Sequence, residues 1–308
     1  MMPKRLLIVG PGDIAERALP QLLAGYEVLA LTRTPERAAQ LAGTGISTRV
    51  GDLDQPESMG AVLEGADCML HCAPPPSSEA AARRDDRMHT LLAALDHALQ
   101  KTRGMVPRRV VYVSTSGVYG DCGGAWIDES QPLRPATGRA HRRVDAERAL
   151  SAWCETRGAG MVCLRVPGIY AADRLPLERL RKGTPVLQRE DDVFTNHIHA
   201  DDLAAICVRA LNESVPPGVY NASDDSELLM GDWMDLVADH HGLARPPRVA
   251  RAEAASRIAA PMLSFMSESR RLVNTKLKRD MGYVLRYPTV NAGVLAARPS
   301  PLNERGKL

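Results

Sequence analysis

Little in the sequence would take this chain to a membrane. Its opening stretch, MMPKRLLIVGPGD, reaches only four apolar residues in a row before a glycine turn interrupts them, which fits neither a secretory signal nor a membrane span. A soluble, cytoplasmic protein is expected. Cysteine is scarce: six residues, at 68, 72, 122, 154, 163 and 207, with no C-x-x-C pair. Cys68 and Cys72 share one apolar run, so reduced, mostly buried thiols are expected, without zinc. Lysine is equally scarce, with 6 among the 39 basic residues, and the basic charge is spread along the chain to leave a net +2. Without a basic tail, nucleic acid is not an expected partner. The three tryptophans, at 126, 153 and 233, are too scattered for a stacking platform, and there is no internal repeat. His197 with His199 and His240 with His241 lack a third ligand nearby, so no metal is expected.

What the first half does contain is alternation. Short apolar runs at 5–9, 27–32, 47–50, 68–72, 109–114 and 161–165 alternate with helical patterns at 14–23, 35–42, 55–64, 79–101 and 139–157. This order predicts an α/β fold with a doubly wound parallel (Rossmann) sheet, its ligand lying across the carboxyl ends of the strands. Residues 1–166 would form that domain. The chain would return to it at about 193–221, through HIHADDLAAICVRAL, with Asp201 or Asp202 capping a helix. The segments 167–192 and 222–308 would form a smaller C-terminal α/β substrate lobe, with helices at 229–241 and 252–266.

The stretch LLIVGPGDIAERAL sets Gly10, Gly12 and Ala15 in a Gly-x-Gly-x-x-Ala arrangement between a strand and a helix. Gly10 permits the tight turn and Gly12 lets the backbone approach a pyrophosphate. The amides at Asp13 and Ile14 open the helix toward the anion. The second strand ends ALTRTPER, placing Arg33 where an NAD-selective site carries an acidic residue. An arginine there suits a 2′-phosphate, with Arg37 and the hydroxyl of Thr32 or Thr34 assisting, so NADP (NADPH) is the expected cofactor. Asp52 is a candidate acceptor for the adenine amino group, or else a helix cap, with Leu53 against the ring. Cys72, Ala73 and Pro74, in HCAPPP, would bring backbone past the ribose.

These motifs, together with VVYVSTSGVYGD, DESQPLRP, LRVPGIY, YNASD and RRLVNTKLKRDMGY, resemble the short-chain dehydrogenase/reductase superfamily, in its extended branch of NAD-dependent epimerases and dehydratases. The resemblance implies that Thr115 hydrogen-bonds the reacting oxygen of the substrate and that Tyr119 lies beside the substrate. It also implies that Pro167, Gly168 and Ile169 pass near the nicotinamide and that His199, Asp201 and Asp202 mark the returning segment. One departure stands out. With Glu147 matched to the family's helix glutamate, the Tyr-x-x-x-Lys pair becomes Arg139-x-x-x-Arg143. A guanidinium cannot serve as the acid or base, although Arg143 can hydrogen-bond the ribose. The two arginines, one helical turn apart, face the same way, which suits an anionic substrate or an exposed basic helix face.

The expected activity is an NADPH-dependent oxidoreductase of atypical type acting on a small polar carbonyl or hydroxyl compound. Its proton would come from Tyr119 first, otherwise from Tyr170, a histidine such as His141, or water held by Thr115. The alternatives are a redox-silent NADP-binding sensor or scaffold and a sugar-nucleotide epimerase or dehydratase. The resemblance also implies a homodimer.

Overall fold

The computed structural model describes residues 3–59, 65–76, 83–102 and 106–296. Seven strands form one parallel sheet: β1 (Lys4–Val9), β2 (Tyr26–Thr32), β3 (Ser47–Val50), β4 (Cys68–His71), β5 (Arg109–Thr115), β6 (Gly160–Val166) and β7 (Gly218–Asn221). Their spatial order is β7-β6-β5-β4-β1-β2-β3, with the reversal between β4 and β1 that defines a doubly wound sheet.

The alternation of side chains along each strand explains the two flanking layers. Leu6 and Ile8 of β1 point into a core shared with α1 (Asp13–Leu22), α2 (Pro35–Ala42) and α5 (Ala200–Ala210). Leu7 and Val9 point to the opposite core, shared with α3 (Asp86–Thr102) and α4 (Gly138–Arg157). The near-continuous apolar strands are therefore two half-faces, each buried under helices. At the β7 edge, open backbone groups are covered by other segments. Lys276 Nζ donates to the Val219 carbonyl at 2.8 Å, and the Asn221 amide donates to Glu129 Oε1 at 2.8 Å.

The remaining chain forms a lobe of short elements. Its own core includes Tyr170, Leu180, Val186, Trp233, Val237 and Val290. The strand His197–His199 pairs in parallel with Gly168–Tyr170. Arg17 on α1 binds Asp13 at 2.7 Å, Asp201 at the start of α5 at 2.8 Å, and Asp173 of the lobe at 2.8 Å. Arg174 adds a second bond to Asp13 at 2.7 Å. The lobe is thus tied by charge to the end of α1 that follows the glycine turn.

Four expectations from the pattern need correction. The cap of α5 is His199, whose Nδ1 accepts from the Asp201 amide at 3.2 Å. Asp202 instead binds the Tyr283 hydroxyl at 2.7 Å and the amides of Arg286 and Tyr287, each at 2.8 Å. The helical pattern at 55–64 is a 3-10 turn, Pro56–Met59, with 60–64 outside the described residues. The helix expected at 79–101 starts at Asp86, with 79–82 outside the described residues. The pattern at 252–266 is two helices, Arg251–Arg257 and Ala260–Phe265, separated by the extended residues Ile258 and Ala259. A proline in the first turn of the second helix has no amide to continue the first.

At the seam between sheet and lobe lies Asp224, 4% exposed, with Oδ1 accepting the Ser226 amide at 2.9 Å and Oδ2 unpartnered. Burial, reinforced by Asp225 and Asp202, pushes its carboxyl up to about 7. The unfolded chain releases this proton near pH 4 while the folded chain holds it to about pH 7. Stability is therefore lost as pH rises across that interval, by on the order of 4 kcal/mol at most. Asp224→Asn keeps the acceptor for Ser226 and cannot ionise. Urea unfolding at pH 5 and pH 8 should show the variant's advantage over the parent growing with pH; an equal difference at both pH values would contradict this account.

Candidate functional site

The carboxyl ends of β1 to β4 surround a cavity of about 360 Å³. Its geometry begins at the end of β1, where the Val9 carbonyl accepts the amides of both Cys72 (2.8 Å) and Ala73 (3.1 Å). This brings the glycine turn against the loop after β4. Gly10 has φ +77°, and a Cβ there would lie 2.5 Å from the Ala73 Cα, so no larger residue fits without moving backbone. At Gly12 a Cβ would meet nothing within 4 Å. The chain is bare there, and no side chain caps the N-terminus of α1. Open space, a glycine turn and an uncapped helix end together fit a pyrophosphate.

Ten of the residues singled out from the sequence line the cavity: Gly10, Gly12, Thr32, Arg33, Arg37, Asp52, Leu53, Cys72, Ala73 and Pro74. Arg33 is exposed at the end of β2 and has no hydrogen-bond or ion-pair partner among the described residues. Arg37 is already engaged, reaching the Pro11 carbonyl at 3.0 Å and pairing with Glu16. Asp52 accepts the Asp54 amide on Oδ1 at 3.0 Å.

Four others stand elsewhere. Thr34 caps α2, accepting the Arg37 amide at 3.3 Å. Asp13 spends its carboxylate on Arg17 and Arg174, whose charges hold its pKa down against the effect of burial. The Ile14 side chain is core, and Pro167 follows β6 away from the cavity lining. For Asp13 and Ile14 only the backbone at the helix start remains available to an anion.

Sequence reasoning missed Arg87. From the first turn of α3 it binds both oxygens of Asp54, at 2.7 and 2.5 Å, and donates to the carbonyls of Pro74 (3.1 Å) and Pro75 (3.4 Å). It lines the cavity with its side chain 16% exposed. Attraction lowers the Asp54 pKa and raises that of Arg87, so the pair stays charged. One guanidinium thus braces the loop after β3 against the loop after β4. Nothing in the local pattern marks it, because its partners are 33 and 13 residues away.

Beyond the cavity, α4 crosses the ends of β5 and β6. Ser114 Oγ donates to Glu147 Oε1 at 2.5 Å, and Arg165 Nη2 donates to Glu147 Oε2 at 2.8 Å, all three being buried. Thr115 ends β5, and its Oγ1 accepts the Gly117 amide at 3.2 Å, which leaves its hydrogen free to donate. Arg143 is 5% exposed and donates from Nη1 to the Tyr112 hydroxyl (2.8 Å) and the Ala73 carbonyl (3.3 Å). Beneath it, burial and the Arg143 charge push His71 down to about 3, so that ring is neutral.

The structure places Tyr119 inside the protein. It has no exposed surface, gives its hydroxyl to Asn221 Oδ1 at 2.7 Å, and lies under the Arg165 guanidinium at 4.8 Å. Burial pushes its phenol up to about 12. Tyr170 is withdrawn in the same way, 2% exposed and donating to the Thr289 carbonyl at 3.2 Å, with burial raising its pKa. His197 is sealed against Trp233 and pushed down to about 3 by burial.

A glycine turn on an uncapped helix at the switch point of a doubly wound sheet defines a dinucleotide-binding protein. Residues 10–214 match the model of the NAD(P)H-binding family, and the chain belongs to that family. Its fold is shared with a putative NAD-dependent epimerase/dehydratase from Methylobacillus flagellatus, 26% identical, with a TM-score of 0.73 over 99% of this chain and 100% of that one. A functionally unknown conserved protein from Silicibacter pomeroyi is 26% identical, with a TM-score of 0.76 over 96% of this chain and 98% of that one. UDP-glucose 4-epimerase from Thermotoga maritima, solved with UDP-glucose, has a TM-score of 0.73 at 16% identity, over 95% of this chain and 97% of its own, and shows the fold alone. A 4-hydroxy-2-methyl-3-oxo-4-farnesyl-3,4-dihydroquinoline-1-oxide ketoreductase from Stigmatella aurantiaca is 29% identical over 170 residues. That match spans 53% of this chain and about half, 49%, of the relative.

If Arg87 acts by bracing two loops, Arg87→Met should weaken NADH and NADPH alike, each by roughly tenfold, since charge-assisted hydrogen bonds contribute about 1.5–3 kcal/mol. Fluorescence titration of both cofactors checks this. Selective loss of one cofactor would assign Arg87 to direct phosphate contact instead.

Proposed function

We propose that the protein is an NADPH-dependent reductase of a small polar carbonyl compound. The observation that carries the reading is Arg33, unpartnered at the end of β2 on the wall of a cavity that also holds the glycine turn. A cation in that place, at the end of β2 where an NAD-selective site carries an acidic residue for the ribose diol, favours a 2′-phosphate over a 2′-hydroxyl. Gly10, Gly12 and the amides opening α1 would hold the pyrophosphate. Asp52 and Leu53 would meet the adenine, and the backbone at Cys72, Ala73 and Pro74 the ribose. The 3-oxo ketoreductase relative supports reduction, though over about half its length.

When bound, the cofactor supplies the hydride. The chain's own part is to place the carbonyl and to stabilise the charge that grows on its oxygen. Thr115 is suited to this, because its oxygen already accepts the Gly117 amide and its hydrogen is free to donate. With Tyr119 and Tyr170 committed inside the protein, the proton comes from solvent at Thr115. The same commitment favours a second reading, a redox-silent NADPH sensor, over an epimerase, which needs a side-chain base to take and return a proton.

Titration with NADPH and NADH, then addition of a carbonyl panel to the NADPH complex, separates these readings. A reductase binds NADPH at least about tenfold more tightly than NADH, and Arg33→Gln removes that preference. It also oxidises the bound cofactor with a panel member, and Thr115→Val lowers kcat by about 10²–10³ with NADPH affinity unchanged. Tight NADPH binding with no turnover supports the sensor, and failure to bind either cofactor overturns both readings.

A further inference from the structure

We propose that Arg139 and Arg143 form an anion subsite, so that the compound reduced carries a carboxylate or phosphate close to its carbonyl group. Only the identification of that anion as part of a substrate rests on the reductase reading; the anion site itself does not.

The first observation is missing counter-charge. Arg17, Arg87, Arg157, Arg165 and Arg245 each lie within 2.8 Å of a carboxylate. Arg139 and Arg143 have no carboxylate within 4 Å among the described residues. Arg139 reaches solvent, yet the packing around it and then the charges of Arg143 and Arg142 pull its pKa below the usual value, and no acidic group opposes them. Glu147, one turn further along the same helix, is spent on Ser114 and Arg165. Asp85, the acidic group that feels Arg143, caps the Met88 amide at 3.1 Å, and burial raises its own pKa. The other groups packed on Arg143, Tyr112 and His71, are neutral.

The second observation is an unused donor. Arg143 is 5% exposed, and its Nε has no hydrogen-bond partner. A buried guanidinium with a free N–H and no counter-ion is costly to hold, and like charges one turn apart on a helix repel. The first turn of α4, a 20-residue helix, also carries no acidic residue, so its N-terminal dipole adds to the positive field. An anion between the two side chains would relieve all three costs. The place is also suitable: Arg143 touches the Ala73 carbonyl on the cavity wall, and α4 packs through Val144 on the turn that follows Thr115. A guanidinium pair binds a planar or tetrahedral oxyanion by paired, charge-assisted hydrogen bonds.

The same chemistry could come from the cofactor's own phosphates, and the test separates the two sources. Inorganic phosphate and malonate are titrated calorimetrically into the free protein and into the NADPH-saturated protein. The expected result is one site of similar affinity in both. Arg139→Gln, at an exposed position the fold tolerates, should weaken it at least about tenfold while NADPH affinity stays within about twofold. Expulsion of the anion by NADPH would give the arginines to the cofactor and overturn the proposal, as would unchanged anion affinity in Arg139→Gln. Failure of NADPH to bind would sink the reductase reading while the titration of the free protein still decides the anion site.

Discussion

Glu147 holds together the part of the molecule on which everything else depends. Among the described residues, its pair with Arg165 is the one ion bridge in which both side chains are less than a tenth exposed, at 8% and 7%. Each oxygen has a donor: Ser114 of β5 takes one and Arg165 of β6 the other. A buried charge is tolerable only when it is satisfied this fully. The arrangement therefore fixes α4 against two strand ends at one rotation about its axis. Arg143 and Arg139 lie one and two turns before Glu147, so the rotation that buries the carboxylate also sets where both guanidinium groups stand. Arg165 does a second job, lying over the Tyr119 ring and so closing the seam where Asn221 of β7 takes the phenol.

The cofactor end is governed by a steric constraint. Gly10 lies so close to Ala73 that β1 and β4 must end in register, as their pairing through Val9 and His71 requires. Once those ends meet, the loops after β3 and β4 are brought close enough for Arg87 to bridge them. The cavity is thus a product of strand register, and its polar fastening comes afterwards. The Arg17 cluster then brings the lobe to the same end of α1, using aspartates from three separate segments.

This division explains what could be read from the chain alone. The sheet was legible because each strand is a run of apolar residues bounded by turns, and a period of two or of 3.6 is a local property. The glycine turn was legible for the same reason: Gly10, Gly12 and Ala15 do their work within six residues. The position of Arg33 on the cavity wall was legible because it follows from where β2 ends. Arg87, Asn221 and Arg165 were not, since their roles arise from partners 33, 102 and 18 residues away. Tyr119 misled for a related reason. Closeness to Thr115 along the chain placed it near the expected chemistry, but the 3-10 turn Ser116–Tyr119 carries the ring inward to the seam. His199 misled in the opposite direction, because a histidine cap in front of two aspartates is the less common of the available choices.

Sealing both phenols changes what the site can do chemically. A tyrosine acid lowers the barrier by delivering a proton as charge develops, and its usefulness depends on a pKa near the working pH. Tyr119, pushed to about 12 and already donating to Asn221, cannot match that condition. What remains at the ends of β5 and β6 is a hydroxyl with a free hydrogen on Thr115 and two guanidinium groups that stay charged at any working pH. Such groups stabilise negative charge without exchanging protons, by the logic of an oxyanion hole. Chemistry built on them favours a substrate whose charge is already in place or is readily spread over oxygen. It disfavours the repeated removal and return of a hydroxyl proton that epimerisation demands.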